Sequence, residues 1–175
     1  NTDAQALLLS DADVKLDISH ARARGRVACG DREPRSVAAG ARRIENEEMV
    51  RGADMVFIAA GMGGGTGTGA SPVVAQIAKE LGALTIGVVT KPFGFEGNKR
   101  MKAAEAGIAE FSKHVDSLIV ILNDKLMEVM GDDADVDHCF KAADDVLKNA
   151  VGGIAEIITY PGLVNVDFED VRTVM

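Results

Sequence analysis

Between Gly61 and Ala70 the chain reads GMGGGTGTGA. Glycine at 63, 64, 65, 67 and 69 gives up conformational entropy at each position, and the usual return is close approach of bare backbone to a ligand. Amides exposed in this way suit an anion, phosphate above all, and a helix starting directly after the loop adds its own N–H groups and dipole. Thr66 and Thr68 can add hydroxyl donors. A ligand-free strand-to-helix turn needs one or two glycines, not a run of them. Two common phosphate loops do not fit. The G-x-x-x-x-G-K-[ST] loop needs a lysine at the terminal phosphates, whereas the first lysine after these glycines is Lys79. The dinucleotide fingerprint can be laid on Gly65, Gly67 and Ala70, but the next strand ends in Lys91 where a ribose-binding acid belongs. A dinucleotide oxidoreductase is therefore disfavoured.

Such a loop needs elements to hold it. Asp54–Gly61 (DMVFIAAG) is a short apolar strand, and Ala70–Gly82 a helix with Ser71 and Pro72 at its start and Gly82 at its stop. Leu84–Thr90 is a second strand, Pro92–Gly97 (PFGFEG) a loop, Asn98–His114 a helix and Asp116–Leu122 a third strand. This alternation predicts a three-layer, parallel-sheet, Rossmann-like α/β domain, with ligands at the carboxyl ends of the strands. Val136–Thr159 reads as one long helix, because Val136, Phe140, Ala143, Leu147, Ala150, Ile154 and Ile157 recur at alternating spacings of four and three. It is expected to be a central strut with a second domain beyond it. Residues 19–50 open basic and irregular, then turn helical from about Val37 to Arg51.

Composition narrows the function. At 175 residues, with 47% hydrophobic and 26% charged, the chain has the size and makeup of one globular domain with a real core. No apolar run approaches the ~18 residues of a membrane span, and NTDAQALLLS has neither a basic start nor a signal-peptide pattern. A cytoplasmic protein without membrane insertion is expected. A formal charge of −8 argues against nucleic acid as a partner. Cys29 and Cys139 lie far apart in no metal-ligand spacing, as reduced thiols do. The absence of an initiator methionine, and an end at DFEDVRTVM inside a helix start, predict a piece of a longer protein.

Taken together, AAGMGGGTGTGASPVVAQIAKELG, VVTKPFGFEG, NDKLMEV, AADDVLKNAVGGIAEII and PGLVNVDFEDVRTVM resemble the FtsZ family, the tubulin-like GTPases of bacterial cell division; NTDAQAL matches as well. The resemblance is dense over residues 1–18 and 51–175 and makes residues 1–175 part of a tubulin-type GTPase domain. The family's first strand and glycine loop would lie upstream, and its C-terminal domain downstream. It implies that Gly63, Gly64, Gly65, Thr66, Gly67, Thr68 and Gly69 wrap the α- and β-phosphates of GTP or GDP, that Glu96 sits near the ribose and that Arg100 faces phosphate. Phe140 would stack on the base, Asn123 would contact it, and Asp144, which register favours over the adjacent Asp145, would accept the N1–H and exocyclic amine of guanine. Without the family, Phe140 reads as core, and Glu96 with Arg100 as a solvated i,i+4 pair.

In the same way, Asn165, Asp167 and Asp170 of NVDFED would be catalytic toward the nucleotide of the next subunit, although alone they read as helix caps. A site divided between subunits implies head-to-tail filaments and hydrolysis that depends on assembly. Mg²⁺ would be held mainly through the phosphates, with Asn1 and Asp3 as weaker candidates near ribose and metal. Division-machinery partners and a mid-cell location follow from the family. Two departures stand out. ARGRVAC (Ala23–Cys29) has Val27 and Cys29 where a γ-phosphate-sensing loop carries glycine, and Leu122 replaces a proline. They motivate an alternative: a catalytically impaired, non-enzymatic fragment that binds GDP weakly or co-assembles with filaments.

Overall fold

The computed structural model describes residues 7–17, 42–131, 135–160 and 166–175. Strands β1 (Met55–Gly61), β2 (Leu84–Lys91) and β3 (Ser117–Leu122) form a parallel sheet in the order β1-β2-β3. The register runs from Met55 opposite Leu84 to Gly61 opposite Thr90, and from Ile86 opposite Ser117 to Lys91 opposite Leu122. Because β2 is central and covered on both faces, LTIGVVTK is apolar almost throughout and buried from Leu84 to Val89.

Helices α1 (Arg43–Val50), α2 (Thr66–Glu80), α3 (Asn98–Phe111), α4 (Asn123–Met130), α5 (Val136–Thr159) and α6 (Phe168–Val174) complete the described elements, with a 3₁₀ turn at Gly94–Glu96. One sheet face packs Ile58 and Val89 against Ala75 of α2 and Ala104 and Phe111 of α3. The Phe111 ring lies over Gly87, where a Cβ would come within 2.5 Å of it. The other face packs Leu84, Ile86, Val88 and Ile121 against Leu147, Ala150, Val151, Ile154 and Ile158 of α5 and Val171 of α6. Alternate residues of β2 thus serve opposite layers, as the two-residue period of a strand dictates. The result is the expected three-layer α/β domain.

Several boundaries move. Helix α2 starts at Thr66 rather than Ala70 and carries Pro72 inside it. Pro72 offers no amide to the Thr68 carbonyl, and the adjacent Ser71 Oγ donates to Gly67 O at 2.6 Å. Helix α3 ends at Phe111 rather than His114, and α1 is described from Arg43, the earlier part of its expected span lying outside the described residues. Helix α5 keeps its expected bounds, with Asp135 accepting from His138 N at 2.7 Å as its N-cap. Its apolar stripe is rotated: Val136 and Ile157 are 53% and 54% exposed, while Cys139 and Ala143 are buried and Ile158 packs inward. Alternation of four and three follows a 3.5-residue period, which drifts about 20° per heptad on a straight helix.

Helix α5 spans about 36 Å from the carboxyl ends of the strands to their amino ends. Phe140, Asp144 and Leu147 lie beside Gly61 and Thr90 at the former. At the latter, α6 docks through Val171 near Leu84, and Arg172 and Met175 border a hollow shared with Lys79, Leu84 and Asp116.

Candidate functional site

A cavity of about 520 Å³ opens at the carboxyl ends of β1 and β2, between the glycine loop and the first half of α5. Its volume is in the range of small-molecule sites. Gly64, Glu96, Arg100, Asn123, Phe140 and Asp144 all line it, residues spread over 81 positions of sequence from 64 to 144. Gly61, Met62, Thr90, Pro92, Ala143 and Leu147 complete much of the wall and were not foreseen. The signal for two of them was present: Phe140, Ala143, Asp144 and Leu147 stand at i, i+3, i+4 and i+7, one face of a helix.

The glycines of the loop divide by cause. Gly63 has φ +97°, and a Cβ there would lie 2.7 Å from Pro92 Cγ and 2.8 Å from the Arg100 carbonyl oxygen. At Gly67 a Cβ would lie 2.4 Å from Gly61 O, so glycine is what lets α2 seat on the end of β1. These two are accounted for by the fold. Gly64 is not: a Cβ there meets nothing within 4 Å, and the residue faces the cavity. Gly65 is the N-cap of α2 and Thr66 its first residue. The first helical hydrogen bond runs from Gly69 N to Gly65 O at 3.0 Å, so the Gly67 and Thr68 amides precede any carbonyl of the helix that could take them.

Thr68 does not supply a hydroxyl to the cavity. Its side chain is turned inward, 1% exposed, and Oγ1 accepts from Gly63 N at 2.9 Å. Helix packing, which sequence spacing does not register, selects that orientation. Thr68 and Gly69 border a separate hollow of about 210 Å³ with Gln76, Glu110 and His114.

Glu96 is locked from two sides: Oε1 accepts from Phe93 N at 2.9 Å, and Oε2 accepts from Arg100 Nη1 at 2.6 Å. The pair is the i,i+4 contact expected, but Glu96 is 11% exposed at its side chain against 54% for Arg100. The carboxylate is therefore fixed while the guanidinium keeps donors for something else. The same turn is tied to α4, because Gly94 N donates to Asp124 Oδ1 at 2.7 Å. Phe140 is 40% exposed and not core; its ring meets Phe93 edge-on at 5.3 Å. Asp144 is exposed on the cavity wall. Asn123, first residue of α4, is 4% exposed, and its Oδ1 has no hydrogen-bond partner.

Asp167 and Asp170 lie elsewhere. They form a reciprocal capping box for α6, Asp170 N donating to Asp167 Oδ1 at 2.9 Å and Asp167 N to Asp170 Oδ2 at 3.2 Å. Helix α6 sits at the amino-end edge of the sheet, so these carboxylates do not face the cavity of their own chain. Asn165, Asn1, Asp3 and Ala23–Cys29 lie outside the described residues. Away from the cavity, hydrogen bonding from Arg43 holds the Glu80 carboxyl below its ordinary range, and Lys113 does the same for Glu110.

A three-stranded parallel sheet between two helical layers, with a glycine loop at a carboxyl end and a long helix closing the cavity, defines a Rossmann-like α/β domain of the tubulin type. The chain belongs to the Tubulin/FtsZ family: a model of that family's GTPase domain matches residues 1–131. Among solved structures it is similar to an empty FtsZ dimer from M. jannaschii, at TM-score 0.94 and 48% identity over 99% of this chain and 50% of that one. A point mutant of the same FtsZ gives TM-score 0.95 and 48% identity over 99% of this chain and 52% of that one. CetZ from Methanosaeta thermophila matches at TM-score 0.73 and 21% identity over 95% of this chain and 45% of that one, a likeness of fold alone. The chain spans about half the length of the FtsZ structures that it matches.

Proposed function

We propose that the chain binds a guanine nucleotide in the 520 Å³ cavity, as part of a GTPase that assembles head-to-tail into filaments for cell division. The observation that carries this reading is Asn123 Oδ1, a buried acceptor with no partner on a cavity wall. Leaving such a group unpaired costs about 1–3 kcal/mol, and a donor on a bound base removes that cost. Asp144 and Phe140 lie on the same wall, so a base there would find a carboxylate at its edge and a ring beside it. Guanine offers two donors on one edge; adenine offers an acceptor at N1, which a carboxylate repels. Glu96 then lies toward the ribose, while Gly64, Arg100 and the first amides of α2 lie toward the phosphates. Mg²⁺ would be bound through those phosphates, neutralising charge on the β–γ side.

Hydrolysis falls to a neighbour in this arrangement. The α6 carboxylates lie at one edge of the sheet and the cavity at the other, so stacking copies with one polarity would bring Asp167 and Asp170 of one subunit to the nucleotide of the next, and the family resemblance assigns Asn165 to the same role. Contacts of that kind do not close and therefore propagate. The acids would position the attacking water, which is most of what phosphoryl transfer asks of a protein. A cytoplasmic, mid-cell location and division-machinery partners belong to this proposal.

Titration of the chain with GDP and ATP, followed by calorimetry, tests it. GDP is expected to bind at least about ten-fold more tightly, the weight of one misplaced charged hydrogen bond, and Asp144→Asn is expected to erase the difference. Equal affinities in the unmodified chain would reject Asp144 as the guanine reader. For hydrolysis, phosphate release per subunit should rise steeply with protein concentration; a flat dependence would sink the shared site.

A further inference from the structure

The glycine loop is held from behind by a contact that the nucleotide reading does not use. Gly63 N, at the start of the loop, donates to Thr68 Oγ1 at 2.9 Å, spanning the turn into α2. Thr68 itself is immobilised: it is 1% exposed, and α3 comes so close at Gly107 that a Cβ there would lie 2.3 Å from Thr68 Cγ2. Met62 Sδ lies 3.7 Å from the same point. On its other side Gly63 is pressed against Pro92 and the Arg100 carbonyl oxygen. The loop is thus pinned between β1, the body of α3 and the first turn of α3, from which Arg100 reaches the cavity.

We propose that Thr68 is a positioning residue for the phosphate end of the cavity, with Gly107 the vacancy that lets α3 hold it in place. This deepens the nucleotide reading and rests on it. The threonine hydroxyl contributes no contact to a ligand. It takes up the Gly63 amide, so that Gly64 presents its backbone to the cavity in one conformation. The methyl group packs at Gly107, while the hydroxyl oxygen alone makes the hydrogen bond that holds Gly63. A shift of α3 would therefore move Arg100 and the loop together.

The test compares Thr68→Val, which keeps shape and loses the acceptor, with Thr68→Ser, which keeps the acceptor. GDP and guanosine are the probes. Valine should weaken GDP by about ten-fold through a disordered loop and leave guanosine within about two-fold, since the base end is untouched. Serine should stay within about three-fold of the unmodified chain for GDP. Unchanged GDP affinity in the valine variant, equal losses for GDP and guanosine, or a serine variant as weak as valine would each overturn the proposal. Amide exchange in the unmodified chain gives a readout independent of ligand and of variant folding. The Gly63 amide should be protected despite lying in a loop, and rapid exchange would count against the pin. An unmodified chain that binds no GDP while protecting Gly63 would instead reject the nucleotide reading and leave the pin intact.

Discussion

The Phe93 ring, fully buried, meets the Phe140 ring edge-on with centroids 5.3 Å apart, and Phe95 stacks on Phe93 at 5.0 Å. The PFGFEG turn after β2 thereby fixes an aromatic ring of α5 at the cavity mouth, joining two segments far apart in sequence. Phe93→Ala should cost about 3–5 kcal/mol of stability. Phe140→Ala should cost far less, because that ring is 40% exposed. It should nevertheless weaken GDP and ATP alike, since stacking does not distinguish bases. Thermal melts and ligand titrations of the two variants separate these roles, and loss of GDP preference in Phe140→Ala would contradict them.

The two causes of glycine in the loop make opposite predictions. Gly67→Ala places a methyl 2.4 Å from the Gly61 carbonyl oxygen, and it should destabilise the fold by about 1–3 kcal/mol. Gly64→Ala meets nothing within 4 Å, so its melt should stay within about 0.5 kcal/mol of the unmodified chain. GDP affinity should nonetheless fall. Equal binding by Gly64→Ala would remove Gly64 from the phosphate end.

The capping box of α6 allows a separation of fold from turnover. Asp167→Ala should cost about 1 kcal/mol through the lost N-cap, and its GDP affinity should be unchanged because the carboxylate lies at the far edge of the sheet. In phosphate-release assays at high concentration it should be strongly impaired. A variant that loses GDP binding instead would place Asp167 at its own chain's cavity.

Among the described residues two surface carboxyls, Glu80 and Glu110, add acid sensitivity, and the Arg43–Glu80 pair gives the more direct test. Arg43 donates to the Glu80 carboxylate and holds its folded pKa below the ordinary value. A depressed carboxyl stabilises the fold above its unfolded pKa, and that contribution is lost as the pH falls through the folded value. Both groups are about half exposed, so salt should screen the effect. Melting temperature against pH for Glu80→Gln should fall below the unmodified chain at neutral pH and converge with it in acid. A constant offset across the range would rule this pair out.

Local chemistry was enough to show the glycine loop, the strand–helix alternation and the bounds of α5, because strand and helix periods are written in nearest-neighbour spacing. It also carried the family resemblance, and through it Gly64, Glu96, Arg100, Asn123, Phe140 and Asp144 of the residues that the fold gathers around one cavity. Tertiary structure decided the rest. Phe140 sits on an apolar stripe yet leaves the core, because the helix turns its Cys139–Ala143 face to the sheet. Thr68 and Thr66 are equivalent as letters in GTGTG, and only the approach of α3 at Gly107 turns Thr68 away from the cavity. Asp167 and Asp170 read as caps or as catalytic groups in any register. They are placed at the edge away from their own chain's cavity because α5 runs the length of the sheet before α6 begins. Spacing along a chain encodes periodicity; which face is buried, and which end of the sheet a residue reaches, depends on contacts between segments that the chain brings together only on folding.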